Sequence, residues 1–237
     1  MQDILTLLSF GPEGWGDEIA SGVLVTVSLA LATLPFGLFF GFLLALAKQS
    51  REPSVRLAAE IYTTIFRGLP ELLTLFLVYF GLQIGIRQLL TLLGFEAAFE
   101  INSFVAGMIA LGAVFTAFSS EVFLSAFRAI PNGQYEGGNA LGLGRAQTMW
   151  TIILPQLIRI ALPGLGNLWM ILLKETALVS VIGLPDILRQ AGIAARVSKE
   201  AFVFFGVACL LFLALAILSS IVIGAIERRV ERSEIRV

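Results

Sequence analysis

Two pairs of opposite charges interrupt otherwise apolar stretches of this chain: Arg67 with Glu71, and Lys174 with Glu175. Charged side chains inside a hydrophobic run are costly to place in lipid, so they mark a pathway, a gate or a partner contact. The chemistry open to them is recognition of charge. Glu175 could meet the ammonium or cationic side chain of a solute while the hydroxyls of Thr176 and Ser180, one helical turn apart, line the way. Glu175 lies about 100° round a helix from Thr176, so the three do not form one line. A competing reading has Lys174 and Glu175 neutralise each other or pair with a second subunit. Arg67 and Glu71 are spaced for one helix face if Pro70 permits a helix there, but Gly68 and Pro70 argue for a break. Catalysis finds little to work with. The 237 residues include no histidine and a single cysteine, Cys209, inside an apolar run where a small hydrophobe's role is expected. No catalytic residue, metal site or bound cofactor is expected, because only scattered carboxylates remain.

The elements that hold these charges are membrane helices. A chain that is 57% hydrophobic and 14% charged, with mean hydropathy +0.91, lies far outside soluble averages. Uncharged runs at 19–47, 101–120 and 201–226 hold 29, 20 and 26 residues. Each is enough for the roughly 20 residues that cross a bilayer as a helix. The regions 61–86 and 160–185 are shorter between their charges and could be re-entrant. A charge at the bilayer centre costs about 2.5–3.5 kcal/mol and each large aliphatic residue returns roughly 0.3–0.6, so charges near the ends still permit insertion. The expected architecture is an all-α polytopic bundle of five transmembrane helices at about 19–47, 58–86, 101–127, 157–183 and 201–226. The whole chain, 1–237, reads as a single permease-type domain, with neither internal repeat nor low-complexity linker.

Lys and Arg stay cytoplasmic in short loops. With five spans, the side holding the N-terminus and the loops 87–100 and 183–200 carries Arg87, Arg189, Arg196 and Lys199. The other side carries Lys48, Arg51, Arg56, Arg128, Arg145, Arg159, Arg228, Arg229, Arg232 and Arg236. The N-terminus is therefore expected outside and the C-terminus in the cytoplasm. No basic region precedes the first apolar run, so no cleaved signal is expected. The tail "ERRVERSEIRV" alternates glutamate with arginine and reads as a solvated anchor rather than a lipid-binding patch, and net charge gives no sign of a nucleic-acid partner. Trp15 fits an interfacial anchor.

On the cytoplasmic side, 130–156 is the one long polar stretch between apolar ones. Pro131, Asn132 and Gly133 signal a turn. Helix-compatible sequence follows to Ala140, Leu141-Gly142-Leu143-Gly144 breaks it, and it resumes from Arg145 until Pro155 ends or kinks it. This is a helix–turn–helix unit, which at its simplest only joins two spans. Its spacing says more: Glu136-Gly137-Gly138, three residues to Gly142, then nine to Ile152-Ile153-Leu154-Pro155 resembles the "EAA" loop of ABC importer permeases. "YTTIFRGLPELL" at 62–73, "YFGLQI" at 79–84, "ALPGLGNLWMILLKETALVSVIGLPDI" at 161–187 and "ERR" at 227–229 are similar to the polar amino acid branch, particularly permeases for histidine, lysine, arginine, ornithine and opines.

The resemblance implies a type I ABC importer permease fold with cytoplasmic coupling helices that dock on an ATPase, through Glu136, Gly137, Gly138, Gly142, Ile152, Leu154 and Pro155. It implies a bacterial inner-membrane location and as partners a second permease subunit, related or identical, two ABC ATPases and a periplasmic amino acid binding protein. It also supports a gate or hinge around Arg67-Gly68-Leu69-Pro70, against the simpler view of Arg67 as an anchor snorkelling to the interface. The chain has no G-x-x-x-x-G-K-[ST] loop, so ATP and magnesium belong to partner subunits. Two departures stand out. Glycines replace the two alanines of the pattern, so the first coupling helix is expected to order only on the ATPase. Leu124 stands where relatives often have arginine in Glu-x-Phe-Arg, which leaves Glu121 to find a partner such as Arg128, two turns away. An ion-coupled secondary amino acid carrier would predict an inverted repeat, and a membrane enzyme would need a nucleophile or base; neither is visible.

Overall fold

The computed structural model describes residues 4–94 and 101–232. Part of the loop expected at 87–100, the tail from 233 including Arg236, and Asp3 lie outside the described residues. After a short turn of helix, α1 (Ile4–Leu7), the chain runs through α2 (Gly16–Lys48), α3 (Pro53–Gly68), α4 (Glu71–Leu92), α5 (Ser103–Ala129), α6 (Asn132–Ala140) and α7 (Arg145–Thr148). A π-helical segment, Met149–Ile153, leads into α8 (Leu154–Glu175), a 3₁₀ segment, Thr176–Ile182, then α9 (Ile187–Ser198) and α10 (Ala201–Arg232). Five helical stretches are long and apolar enough to cross a membrane: Gly16–Lys48, Glu71–Leu92, Ser103–Ala129, Arg145–Ile182 and Ala201–Val230.

The central helix is α5, buried on most of its circumference and packed most extensively on α2, then on α8 and α4. Water-driven burial gives no attraction between helices in lipid, so close approach of small residues does the work. A Cβ on Gly37 would sit 2.4 Å from the Phe115 ring, one on Gly41 2.0 Å from Ser119 Oγ, and one on Gly112 2.7 Å from the Phe36 ring. Ser119 Oγ donates to the Gly37 carbonyl at 3.1 Å across the same seam. One core surrounds Leu29, Leu75, Leu111, Phe115 and Leu172 near the middle of the bundle. A second gathers Phe123, Phe127, Ile153 and Leu157 under the hairpin. A third holds Leu7, Ile19, Ile187 and Phe204 at the opposite end, and Trp15 packs on it.

The structure departs from the expected elements in four places. The second expected span, 58–86, is two helices. Leu69 and Pro70 are extended, with ψ of 142° and 134°, because proline disfavours the α conformation in the residue before it; α3 is a separate amphipathic helix and the span is α4. The helix that holds the fourth span begins earlier, at Arg145, so the second arm of the hairpin runs into it without a break. Pro155 does not end it: the wide turn of Met149–Ile153 precedes Pro155, which occupies the opening of α8, where its missing N–H costs least. The loop expected at 183–200 contains α9, whose apolar residues Ile187, Ala191, Ala194 and Ala195 pack on α2 and α10. Cys209 is exposed on α10 rather than packed inside.

Candidate functional sites on the hairpin and in the membrane

The polar hairpin closes through glycine. Gly142 has φ +77°, a left-handed conformation that costs other residues about 1–2 kcal/mol, and nothing lies within 4 Å of where its Cβ would be. Its N–H donates to Asn139 O, and Leu143 N–H to Gly138 O, so the last carbonyls of α6 are satisfied in the turn. Gly138 is the contact between the two arms: a Cβ there would lie 2.6 Å from Thr148 Cγ2 and 2.7 Å from Thr148 Oγ1. Gly137, by contrast, faces open space, and Glu136 beside it is exposed. The glycine pair is thus asymmetric, with one member buried in the hairpin and one presented outward.

At its base the hairpin is anchored. Ile153 is fully buried, and Ile152, Leu154 and Tyr135 pack around the same cluster. Gln156 donates its side-chain N–H groups to Gln134 Oε1 at 3.1 Å and Ile152 O at 2.9 Å, joining α6 to the start of α8. Pro155 is exposed. Leu141 and Trp150 are 78% and 68% exposed on this polar element. Large exposed apolar side chains on a polar element suit a protein partner. The spacing argument missed these two, since neither belongs to the pattern; their signal is an apolar side chain where the hairpin has no core to face.

The membrane charges sort differently from their order in sequence. Arg67 turns away from Glu71 to α5, with its guanidinium NH1 3.3 Å from Glu121 Oε1 and 5.6 Å from the centre of the Phe118 ring. Lys48, its side chain only 6% exposed, pairs with the same Glu121 oxygen. Glu121 therefore takes its partners from α2 and α3, and the expected pairing with Arg128 does not form; Arg128 is exposed on the last turn of α5. Arg67 is not the helical neighbour of Glu71, because the break at Leu69 and Pro70 separates them. Tyr62 donates to Ala113 O at 3.0 Å, a second polar tie between α3 and α5.

Beyond the break, Glu71 opens α4 close enough to Glu175 for their charges to interact, with Lys174 a weaker influence. Among the described residues no ion pair joins Lys174 to Glu175, and none involves either carboxylate. Thr176 and Ser180 do not share a face as an α-helix would place them. They lie in a 3₁₀ segment, where residues three apart eclipse, so Thr176 aligns with Val179 and Ile182 in the buried row. Its hydroxyl donates to Leu173 O at 2.7 Å. Ser180 is half-buried, and its carbonyl accepts from Arg189 Nη1 at 3.0 Å.

Just beyond the 3₁₀ segment Asp186 is fully buried and caps α9, with Oδ1 accepting from Arg189 N–H at 2.9 Å. Its other oxygen has no partner. Burial pushes this carboxyl up to about 6 despite the backbone N–H groups and the Arg189 charge that favour ionisation. Gly22 makes room for it: a Cβ there would lie 3.0 Å from the Asp186 backbone. Sequence reading missed Asp186, although an aspartate just before an apolar 187, 191, 194, 195 pattern is a helix-start signal. Among the described residues no group of three or more His, Cys, Asp or Glu is placed to hold a metal.

Comparison with known proteins places these features in a family. The family described as "Binding-protein-dependent transport system inner membrane component" matches residues 37–232. The nopaline transport system permease protein NocQ of Agrobacterium fabrum is 42% identical over 217 residues, 91% of this chain and 92% of that protein. The histidine/lysine/arginine/ornithine transport system permease protein HisQ of Salmonella typhimurium is 38% identical over 216 residues, 91% of this chain and 94% of its own. In the crystal structure of an amino acid ABC transporter with histidines, one chain superimposes with a TM-score of 0.79 and 30% identity, covering 97% of this chain and 99% of that one.

Proposed function

Since the chain belongs to the family of binding-protein-dependent transport system inner membrane components, we propose that it moves polar, basic amino acids or opines across the bacterial inner membrane. The work is done with a second permease subunit, two ABC ATPases and a periplasmic binding protein. The all-α bundle with its helical hairpin is the type I ABC importer permease fold. The relatives' names set the class of cargo: nopaline, octopine, histidine, lysine, arginine and ornithine are all polar, and most carry a cationic group.

The observation that carries the cationic assignment is that Glu71 and Glu175 lie within electrostatic reach of each other, with Lys174 the weaker influence on Glu175, and that among the described residues neither carboxylate is in an ion pair. Two carboxylates at membrane depth with no ion pair to either favour a positive visitor, since bringing a cation between them relieves both repulsion and desolvation. Thr176, packed inward, supports the backbone of this turn, and Ser180 lies on a different face. The solute-facing pair is then Glu71 and Glu175, on two different helices.

The hairpin is the coupling element. Glu136, Gly137, Leu141, Gly142 and Trp150 form its free surface, while Ile152, Leu154 and the Gln134–Gln156 bond fix its base to α8. The direction follows from the charge asymmetry of the loops, with the N-terminus periplasmic and the hairpin and C-terminus cytoplasmic. ATP and magnesium act on the ATPase subunits. The deciding experiment reconstitutes the complex in proteoliposomes and measures arginine uptake. ATP inside the vesicles should drive uptake with the membrane potential collapsed, and Glu175→Gln should weaken cation transport. Uptake driven by an ion gradient without ATP, or unchanged arginine transport by Glu175→Gln, would defeat the corresponding half of the proposal.

A further inference from the structure

Glu121 has an unusual position among the charges of this chain. Lys48, nearly fully buried, holds it from the α2 side, where the Gly37 and Gly41 seam fixes α2 against α5. A buried cation of this kind requires its carboxylate, so the pair is a permanent part of the α2–α5 contact. Arg67 is the additional partner. It is 46% exposed and reaches Glu121 from the last turn of α3, steadied over the Phe118 ring. Its other carboxylate within chain reach is Glu71, only four residues on, across an extended Leu69-Pro70 link. Four residues span at most about 14 Å, so Glu71 lies within chain reach of an unheld Arg67.

We propose that Glu121 is a specificity-determining residue for transport: by sequestering Arg67 on α5 it keeps the arginine from neutralising Glu71, and so keeps the Glu71–Glu175 pair free for a cationic solute. Lys48 supports this by holding Glu121 in place. Loss of the Glu121 charge releases Arg67, which then occupies the charge that the solute should meet. The effect falls on charge preference rather than on transport in general. This inference rests on the reading of Glu71 and Glu175 as the solute-facing pair.

The test uses the reconstituted permease–ATPase complex with its binding protein and two probes of nearly equal shape, arginine and citrulline, in which a neutral urea replaces the guanidinium. Glu121→Gln should lower the arginine-to-citrulline uptake ratio by about tenfold, a discrimination within the range of one well-placed polar contact. Adding Arg67→Met to Glu121→Gln should restore the ratio toward wild type, because the competing cation is gone. If Glu121→Gln fails to assemble through the unpaired Lys48, Lys48→Met combined with Glu121→Gln carries the comparison, with the same fall expected. An unchanged ratio, or a double Arg67→Met/Glu121→Gln variant as low as Glu121→Gln alone, overturns the proposal. Glu71→Gln and Glu175→Gln are measured alongside. If they lower the ratio and Glu121→Gln does not, only this inference fails; if they leave it at the wild-type value, the solute-facing reading fails and takes the inference with it.

Discussion

The asymmetry of the glycine pair in the hairpin permits a quantitative test. Replacing a helical glycine by alanine stabilises a helix by about 1 kcal/mol. At Gly137 nothing lies within 4 Å of the new Cβ, so Gly137→Ala should deliver that gain in full, raising the ratio of formed to unformed α6 about fivefold. At Gly138 the new methyl would meet Thr148 at 2.6 and 2.7 Å. Overpacking of that kind costs about 1–3 kcal/mol, so Gly138→Ala should be neutral or destabilising by up to about 2 kcal/mol. Thr148→Ala leaves only a Cβ, 3.2 Å from the added one, so the double variant should recover most of the loss. The expected coupling between the two sites is about 1–2 kcal/mol. The assay is hydrogen exchange of amides 134–140 in the purified permease, with and without the ATPase. Wild type should be weakly protected alone and strongly protected on the ATPase, with Gly137→Ala narrowing the difference. Strong protection of wild-type 134–140 in the isolated permease would refute the marginal-helix reasoning. So would equal gains from Gly137→Ala and Gly138→Ala.

Other perturbations read other parts of the chain. Gly142→Arg should insert and assemble but lose coupled ATP hydrolysis and uptake, while Gly142→Asn, which tolerates a positive φ, should retain most of both; normal transport by Gly142→Arg would remove the hairpin from the coupling role. For Asp186 the folded pKa of about 6 lies above the ordinary value of 3.8, so the folded chain takes up the proton first. Thermal stability should rise as pH falls from about 7 to 5, in contrast to a salt-bridged aspartate. Asp186→Asn keeps the cap and removes the buried charge; it should stabilise at neutral pH by up to about 3 kcal/mol, the equivalent of two pKa units, and flatten the pH profile. Asp186→Ala loses the cap as well and should forfeit about 1 kcal/mol of that gain, readable in melting curves of the purified protein. Gly41→Val should prevent α2 from seating on α5, since its Cβ alone would lie 2.0 Å from Ser119 Oγ; a fully assembled, stable Gly41→Val complex would contradict the small-residue seam.

The five crossings and the hairpin were legible because hydropathy and spacing report one-dimensional facts: how long a run is, and where glycine interrupts it. Gly142 needed its left-handed turn, and the sequence announced it through Leu-Gly-Leu-Gly. Partnerships were less legible, because they depend on how helices lie beside one another. Gly68 and Pro70 argued for a break between Arg67 and Glu71, and the helix does break there, but nothing in the sequence directed Arg67 to Glu121, 54 positions further along the chain. The likeness of Thr176 to Ser180 failed for a subtler reason: a tightening from α to 3₁₀ rotates residue four out of line, and no residue in 176–182 signals that change. Glu71 and Glu175 meet across two helices that sequence could describe only singly.

The passage from hairpin to membrane has no non-helical residue between Arg145 and Glu175. At 1.5 Å per residue this is a strut of about 46 Å, anchored in the core around Ile153 and Leu157 near one end and ending at the Glu175 carboxylate. Pivoted there, a tilt of only about 5° carries the Glu175 end, about 27–33 Å away, through roughly 2.5–3 Å, comparable to the length of a hydrogen bond. Distance from the hairpin is therefore no obstacle: a motion too small to disturb the hairpin's own packing is enough, at the other end, to make or break a polar contact.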